Sequence, residues 1–143
     1  MPVSFEFNQA LGVIRIRCYG EVGVLDVVSQ SKSFLIQKRV PNPLNVFLDV
    51  RELTALPTAD EVLRVKDYLF SLRGKVTFGC CAVLADRDAM FGMARMWGVF
   101  VEDMFAAVSI FRLAAEATEW FDGQCLRDGG FISATAESAG LPG

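Results

Sequence analysis

Histidine is absent from all 143 residues, and that one absence removes several kinds of chemistry. Zinc sites built on imidazole are excluded, as are nucleophile–base pairs of the Ser–His and Cys–His kind. Basic charge is not in excess either, with 14 Lys and Arg against 17 Asp and Glu and a formal charge of −3. A nucleic-acid surface needs clustered Lys and Arg, so no nucleic-acid partner is expected. Also missing is any apolar stretch able to span a bilayer, because the longest apolar region, Met93 to Phe111, carries Arg95, Glu102 and Asp103. The opening residues Met1-Pro2-Val3-Ser4-Phe5-Glu6 show neither a positive leader nor an apolar block. The expected location is therefore cytoplasmic, at most peripheral to the inner face of a membrane.

Cysteine is scarce, at positions 18, 80, 81 and 125. The vicinal pair Cys80-Cys81 lies inside the apolar run Phe78 to Ala85, where it cannot easily bridge to itself. The four read as reduced, small core residues, and an all-cysteine metal site lacks the paired spacing it needs. No metal and no cofactor are expected. What is abundant is apolar side chain: 52% of the residues are hydrophobic, and mean hydropathy is +0.36. A chain of this size closes one core, and the apolar excess points to surface left over for a partner, a ligand or a membrane.

Val3 to Asn8 and Val13 to Tyr19 alternate apolar and polar residues and read as two strands joined by a short turn. Residues 24–39 carry helix spacing and end in Lys38-Arg39 before Pro41, a stop signal. Leu44 to Val50 and Phe78 to Ala85 are compact apolar runs of the kind buried parallel strands show. Between them, Val62, Val65, Leu69 and Leu72 form a helical stripe whose start is marked by Thr58 and Glu61 at capping-box spacing. A longer helical stretch follows Asp86-Arg87-Asp88 to about Phe105, then a short strand at Val108 to Arg112 and a last helix at Ala114 to Phe121. Strands separated by helices of this length require crossovers, so the expected class is α/β with a mainly parallel five-stranded sheet, about four helices, and the first strand antiparallel at an edge. Residues 1–122 form the expected domain, and 123–143 a Gly/Ala/Ser-rich extension.

The order resembles the SpoIIAA-like proteins, whose fold is shared by STAS domains, and in particular the bacterial branch called STAS/CRAL-TRIO-like. Three places carry the resemblance, which covers roughly residues 3–122. They are the strand-turn-strand start leading into Gly20, the Phe47-Leu48-Asp49-Val50-Arg51 strand end, and the pair Gly92-Met93-Ala94-Arg95-Met96 with Phe111-Arg112 to Trp120-Phe121. The resemblance implies a non-catalytic binding fold. Its known roles are phosphorylation-switched partner of a regulatory kinase, cytoplasmic part of a transporter, or, in this branch, a protein of unassigned role linked to apolar ligands or membranes. Antagonists of the anti-sigma-factor type place a phosphorylatable serine nine residues beyond a strand-end aspartate, which here is Thr58 counted from Asp49. The family pattern is an Asp-Ser pair followed by small residues, whereas this chain reads Leu56-Pro57-Thr58-Ala59-Asp60-Glu61. Thr58 is thus a candidate phosphoacceptor and, independently, a helix N-cap.

Two regions are candidates for binding. The carboxyl ends of the strands should gather Glu21, Asp49, Arg51, Asp86 and Asp88, where helix capping and an Asp49–Arg51 ion pair account for the charges without a metal. On the helix at 90–105, a stripe of Met90, Met93, Ala94, Trp97, Val101, Met104 and Phe105 supplies a core face, which leaves Met96, Val99 and Phe100 pointing elsewhere. Covering each such side chain is worth about 1.5–3 kcal/mol, enough for a weak dimer or a lipid contact. Arg95 is expected to pair with Asp49, Asp86 or Glu119, or with an anionic group on a ligand. The expected partners are an apolar small molecule or lipid, a membrane surface, or a second copy of the chain, with no catalytic residues.

Overall fold

The computed structural model describes residues 3–21, 23–36 and 40–126. The alternating opening folds back on itself as β1 (Val3–Asn8) and β2 (Val13–Gly20), antiparallel, with Val3 opposite Cys18 and Asn8 opposite Val13. Asn8 Oδ1 closes the turn by accepting the Leu11 N–H at 3.0 Å. Gly12 completes it at φ +65°, where a Cβ would meet the Pro43 carbonyl at 2.8 Å, so glycine is required on two counts. From β2 onward every connection is a helical crossover: α1 (Val24–Ile36), β3 (Leu44–Leu53), α2 (Ala59–Ser71), β4 (Phe78–Leu84), α3 (Asp88–Val101), a short 3-10 turn (Glu102–Met104), β5 (Ala107–Phe111) and α4 (Ala114–Phe121). The expected class, element order and antiparallel first strand are all observed.

The sheet order is β1-β2-β3-β4-β5, parallel from β2 to β5. Each crossover therefore advances one strand in the same direction, and right-handed connections then place α1, α2 and α3 on one face. Their buried residues Val27, Val62, Met90, Trp97 and Val101 join Ile14, Leu44, Cys81 and Val83 in the main core. Phe34 of α1 extends that cover to the edge by stacking on Phe5 at 4.6 Å. Of the four α-helices only α4 reaches the opposite face, where Ala117 and Phe121 close over Val13, Phe47, Cys80, Ala82 and Leu84. β4 lies between both layers, which is why Phe78–Leu84 is an unbroken apolar run. On the opposite face the described residues leave β1 and β2 largely open, with Ser4, Glu6 and Arg17 exposed, and the Arg15 guanidinium sits 4.6 Å above the Phe47 ring.

α2 begins as its sequence requires. Thr58 is the N-cap, its hydroxyl accepts the Glu61 N–H at 3.1 Å, and Glu61 Oε1 accepts the Thr58 N–H at 2.9 Å. Thr58→Ala is expected to cost about 1 kcal/mol in chemical denaturation while Thr58→Ser costs almost nothing. Equal stability of all three proteins would show that the box is not formed in solution. α3 starts differently from expectation: its N-cap is Arg87, which makes no side-chain cap. Arg87 instead donates to the Leu53 carbonyl, and Asp88 accepts from Arg112 Nη1 at 2.7 Å, so neither Asp86 nor Asp88 caps the helix. A π-helical turn at Asp122–Leu126 continues past the expected boundary at 122, and the rest of the 123–143 extension lies outside the described residues.

Candidate functional site

Three helices laid side by side on a twisted sheet do not fill every gap beneath them. Here α1, α2 and α3 leave two adjoining cavities against β3 and β4. The first, about 110 Å³, is walled by Val50, Leu53, Val62, Val83, Met90 and Met93, with Pro57 at its side. The second, about 100 Å³, is walled by Ile14, Leu44, Leu69, Tyr68, Phe78 and Phe105. Val27, Val28, Leu48, Val65 and Trp97 face both.

The polar groups in the walls are few. Ser31 Oγ is engaged with the Val27 carbonyl at 2.7 Å. Tyr68 is half-buried, and burial pushes its phenol pKa upward, which keeps it neutral. Trp97 is 9% exposed, and its Nε1 is a buried donor with no acceptor among the described residues. The other such atom, Gln30 Oε1 on α1, belongs to neither wall. A buried indole N–H ordinarily finds a partner, so its unmet donor sets Trp97 apart from the other buried residues of the wall. In the sequence Trp97 reads as plain core, and the demand of its N–H for an acceptor was the one signal that could have singled it out.

The residues expected on the free side of α3 separate. Val99 is 64% exposed and Phe100 37%, whereas Met96 is half-buried and packs against the main core. This corrects the expectation for Met96: α3 touches α2 as well as the sheet, so its buried arc is wider than the stripe read from spacing alone. Arg95 pairs with none of Asp49, Asp86 and Glu119; its guanidinium lies 5.9 Å from the Phe91 ring, which Arg112 covers more closely at 4.2 Å. None of Arg95, Met96, Val99 and Phe100 lines either cavity. Thr58 is exposed at the α2 N-terminus, in its capping box.

At the carboxyl ends of the strands, Asp49 holds Arg51 through Nε at 3.0 Å and Nη2 at 2.8 Å, the expected pair. Burial pushes the Asp49 carboxyl upward, but the Arg51 hydrogen bonds and charge outweigh it and leave the pKa below the ordinary carboxylate value. Among the described residues no three Cys, Asp or Glu side chains converge as a metal-holding group. Cys18, Cys80 and Cys81 are buried reduced thiols; burial, with Asp49 adding to it, raises Cys18 to about 12, and Cys81 is likewise raised, so neither offers a ready thiolate. No helix among the described residues is long and apolar enough to cross a membrane.

No family model matches the chain, and no curated protein is similar to it in sequence. Among solved structures, it is similar to an uncharacterised protein of the DUF3478 family with a SpoIIAA-like fold from Shewanella loihica PV-4. The two superpose with a TM-score of 0.53 at 12% identity, over 83% of this chain and 91% of the other. With the five-stranded mixed sheet and its helical layers, that superposition establishes that the protein has a SpoIIAA-like fold.

Proposed function

We propose that the protein is a non-enzymatic binding domain that takes a small apolar molecule bearing one neutral hydrogen-bond acceptor into the paired cavities beneath α3. The observation that carries this reading is the apolar lining of the paired cavities, whose shared wall includes Trp97, an indole with a buried N–H that has no acceptor among the described residues. Among the described residues no charged side chain lines either cavity, so an ionised carboxylate or amine would enter without a counter-charge from them. A ketone, ester, ether or alcohol with a short hydrocarbon chain matches both features. Each buried methylene contributes about 0.8 kcal/mol, so a six-carbon chain supplies roughly 5 kcal/mol before ordering costs. The affinity expected is accordingly high-micromolar to millimolar.

The test uses 2-hexanone, hexane and hexanoate as probes, read by Trp97 emission in a Trp120→Phe background. 2-Hexanone is expected to bind at least about fivefold tighter than hexane, the worth of one buried hydrogen bond of about 1 kcal/mol, and hexanoate not to bind at neutral pH. Calorimetry on Trp97→Phe should then show ketone and alkane binding equally. Failure of all three probes to bind, or a ketone preference that survives Trp97→Phe, overturns the reading. The alternative implied by the resemblance is a switch phosphorylated at Thr58. It is disfavoured by the closed capping box, which commits that hydroxyl to the Glu61 N–H and would set a phosphate beside the Glu61 carboxylate.

A further inference from the structure

We propose that the protein forms a two-fold dimer through the free edge of β5 and the exposed flank of α3. β5 ends the sheet, and its outer edge pairs with no strand among the described residues. Its sequence Ala-Val-Ser-Ile-Phe contains no charge and no proline, and its register with β4 runs without a bulge. Among the described residues, no charge, proline or bulge on β5 keeps this edge from pairing. At the opposite edge, β1 carries the exposed Glu6.

The helix above β5 supplies the second half of the interface. A Cβ on Gly98 would meet Val108 and Ile110 at 3.5 and 3.6 Å, so the buried Gly98 side of α3 packs on the strand to either side of its midpoint, Ser109, and the exposed flank borders the same groove as Ser109. One two-fold axis normal to the sheet at that point pairs two β5 strands antiparallel and, at the same time, sets two α3 helices antiparallel on one face. Along the flank and into the 3-10 turn that continues it, Arg95, Val99 and Glu102 follow at i, i+4 and i+7, and all three are exposed. They border a groove of about 370 Å³ against Phe91, Val108 and Ile110.

The charges on this flank are self-complementary. Arg95 and Glu102 stand about one turn from the axis on opposite sides, so the axis brings Arg95 of each copy to Glu102 of the other. Neither has an ion-pair partner among the described residues, and two turns, about 10 Å of helix rise, separate them within one chain. Val99 meets its own copy at the axis, which covers the most exposed large apolar side chain described. The occupant that matches a pairing edge, an apolar centre and one opposite charge at each end is a second copy of this chain.

Sedimentation velocity and multi-angle light scattering test this on wild-type protein, Arg95→Glu, Glu102→Arg, the double exchange and Val99→Lys, with circular dichroism confirming that each is folded. Wild type is expected at twice 15.7 kDa. Each single reversal should raise the dimer Kd at least about tenfold, Arg95→Glu with Glu102→Arg should return it to within about threefold, and Val99→Lys should yield monomer. A wild-type monomer at 100 µM overturns the proposal, whether or not that monomer binds anionic vesicles or other proteins. So does a dimer indifferent to the single reversals, or a double exchange as weak as either reversal alone. Because Arg95, Val99 and Glu102 line neither cavity, this outcome is independent of the hexanone titration.

Discussion

Phe121→Ala is expected to lower the unfolding free energy by about 3–5 kcal/mol, a large part of the roughly 5–15 kcal/mol that a domain of this size possesses. Phe121 is fully buried, and its ring meets Phe47 edge-on at 5.4 Å. With Ala117 it is the cover of α4 over Phe47, Cys80, Ala82 and Leu84. α4 is only eight residues long, too short to be helical on its own, so its structure depends on this docking. The second face should therefore loosen first. Trp120, which packs on Phe111 at 5.6 Å, reports that face, while Trp97 reports the other. In a Trp97→Phe background, the Phe121→Ala variant should show red-shifted Trp120 emission at denaturant concentrations where far-ultraviolet dichroism is still native. A loss below about 1 kcal/mol, with unshifted emission, would mean that α4 does not seal the face in solution.

Gly79→Ala should be nearly as damaging, at about 2–5 kcal/mol, although it adds a single methyl group. A Cβ at that position would lie 2.0 Å from Asn45 Oδ1 and 3.0 Å from Asn45 Cγ, with Pro43 Cβ at 3.4 Å. Asn45 cannot simply swing away. It is 4% exposed, its side-chain Oδ1 accepts the Cys80 N–H at 2.8 Å, and its backbone is fixed by the main-chain N–H donating to the Gly12 carbonyl at 2.7 Å. Displacing the side chain breaks its hydrogen bond to the buried Cys80 N–H, a penalty of about 1–3 kcal/mol on top of the steric one. Asn45→Ala makes the space and pays the hydrogen-bond penalty by itself. The double variant should consequently be more stable than the sum of the two single losses by at least about 1 kcal/mol. Strict additivity in urea denaturation would refute the clash.

Local patterns were legible where one element settles its own conformation. Alternation over Val3–Asn8 and Val13–Gly20, the apolar run of β4 and the Thr58–Glu61 box each arise from interactions within a few residues, and each stands where expected. The Asp49–Arg51 pair was legible for the same reason, since two residues on one strand end meet without help from the fold. Expectation failed where a distant segment competes for a side chain. Arg112 draws Asp88 away from capping α3, and the Leu53 carbonyl engages Arg87. Met96 was placed on the free side of α3 because spacing describes one helix on one surface, and α2 supplies a second.

By itself, then, the sequence determined the class, the order of nine strands and helices, the antiparallel start, and the lack of imidazole chemistry, because periodicity and composition are properties of the chain before it folds. Tertiary structure alone decided that the strands lie in the order β1 to β5, that one short helix covers the β3–β4 part of the second face, and that Trp97 stands in the wall of an apolar cavity with its N–H unanswered among the described residues. A cavity is the space several elements fail to fill, and an unpartnered donor is defined by what every neighbour does not offer. Neither exists until the helices have packed.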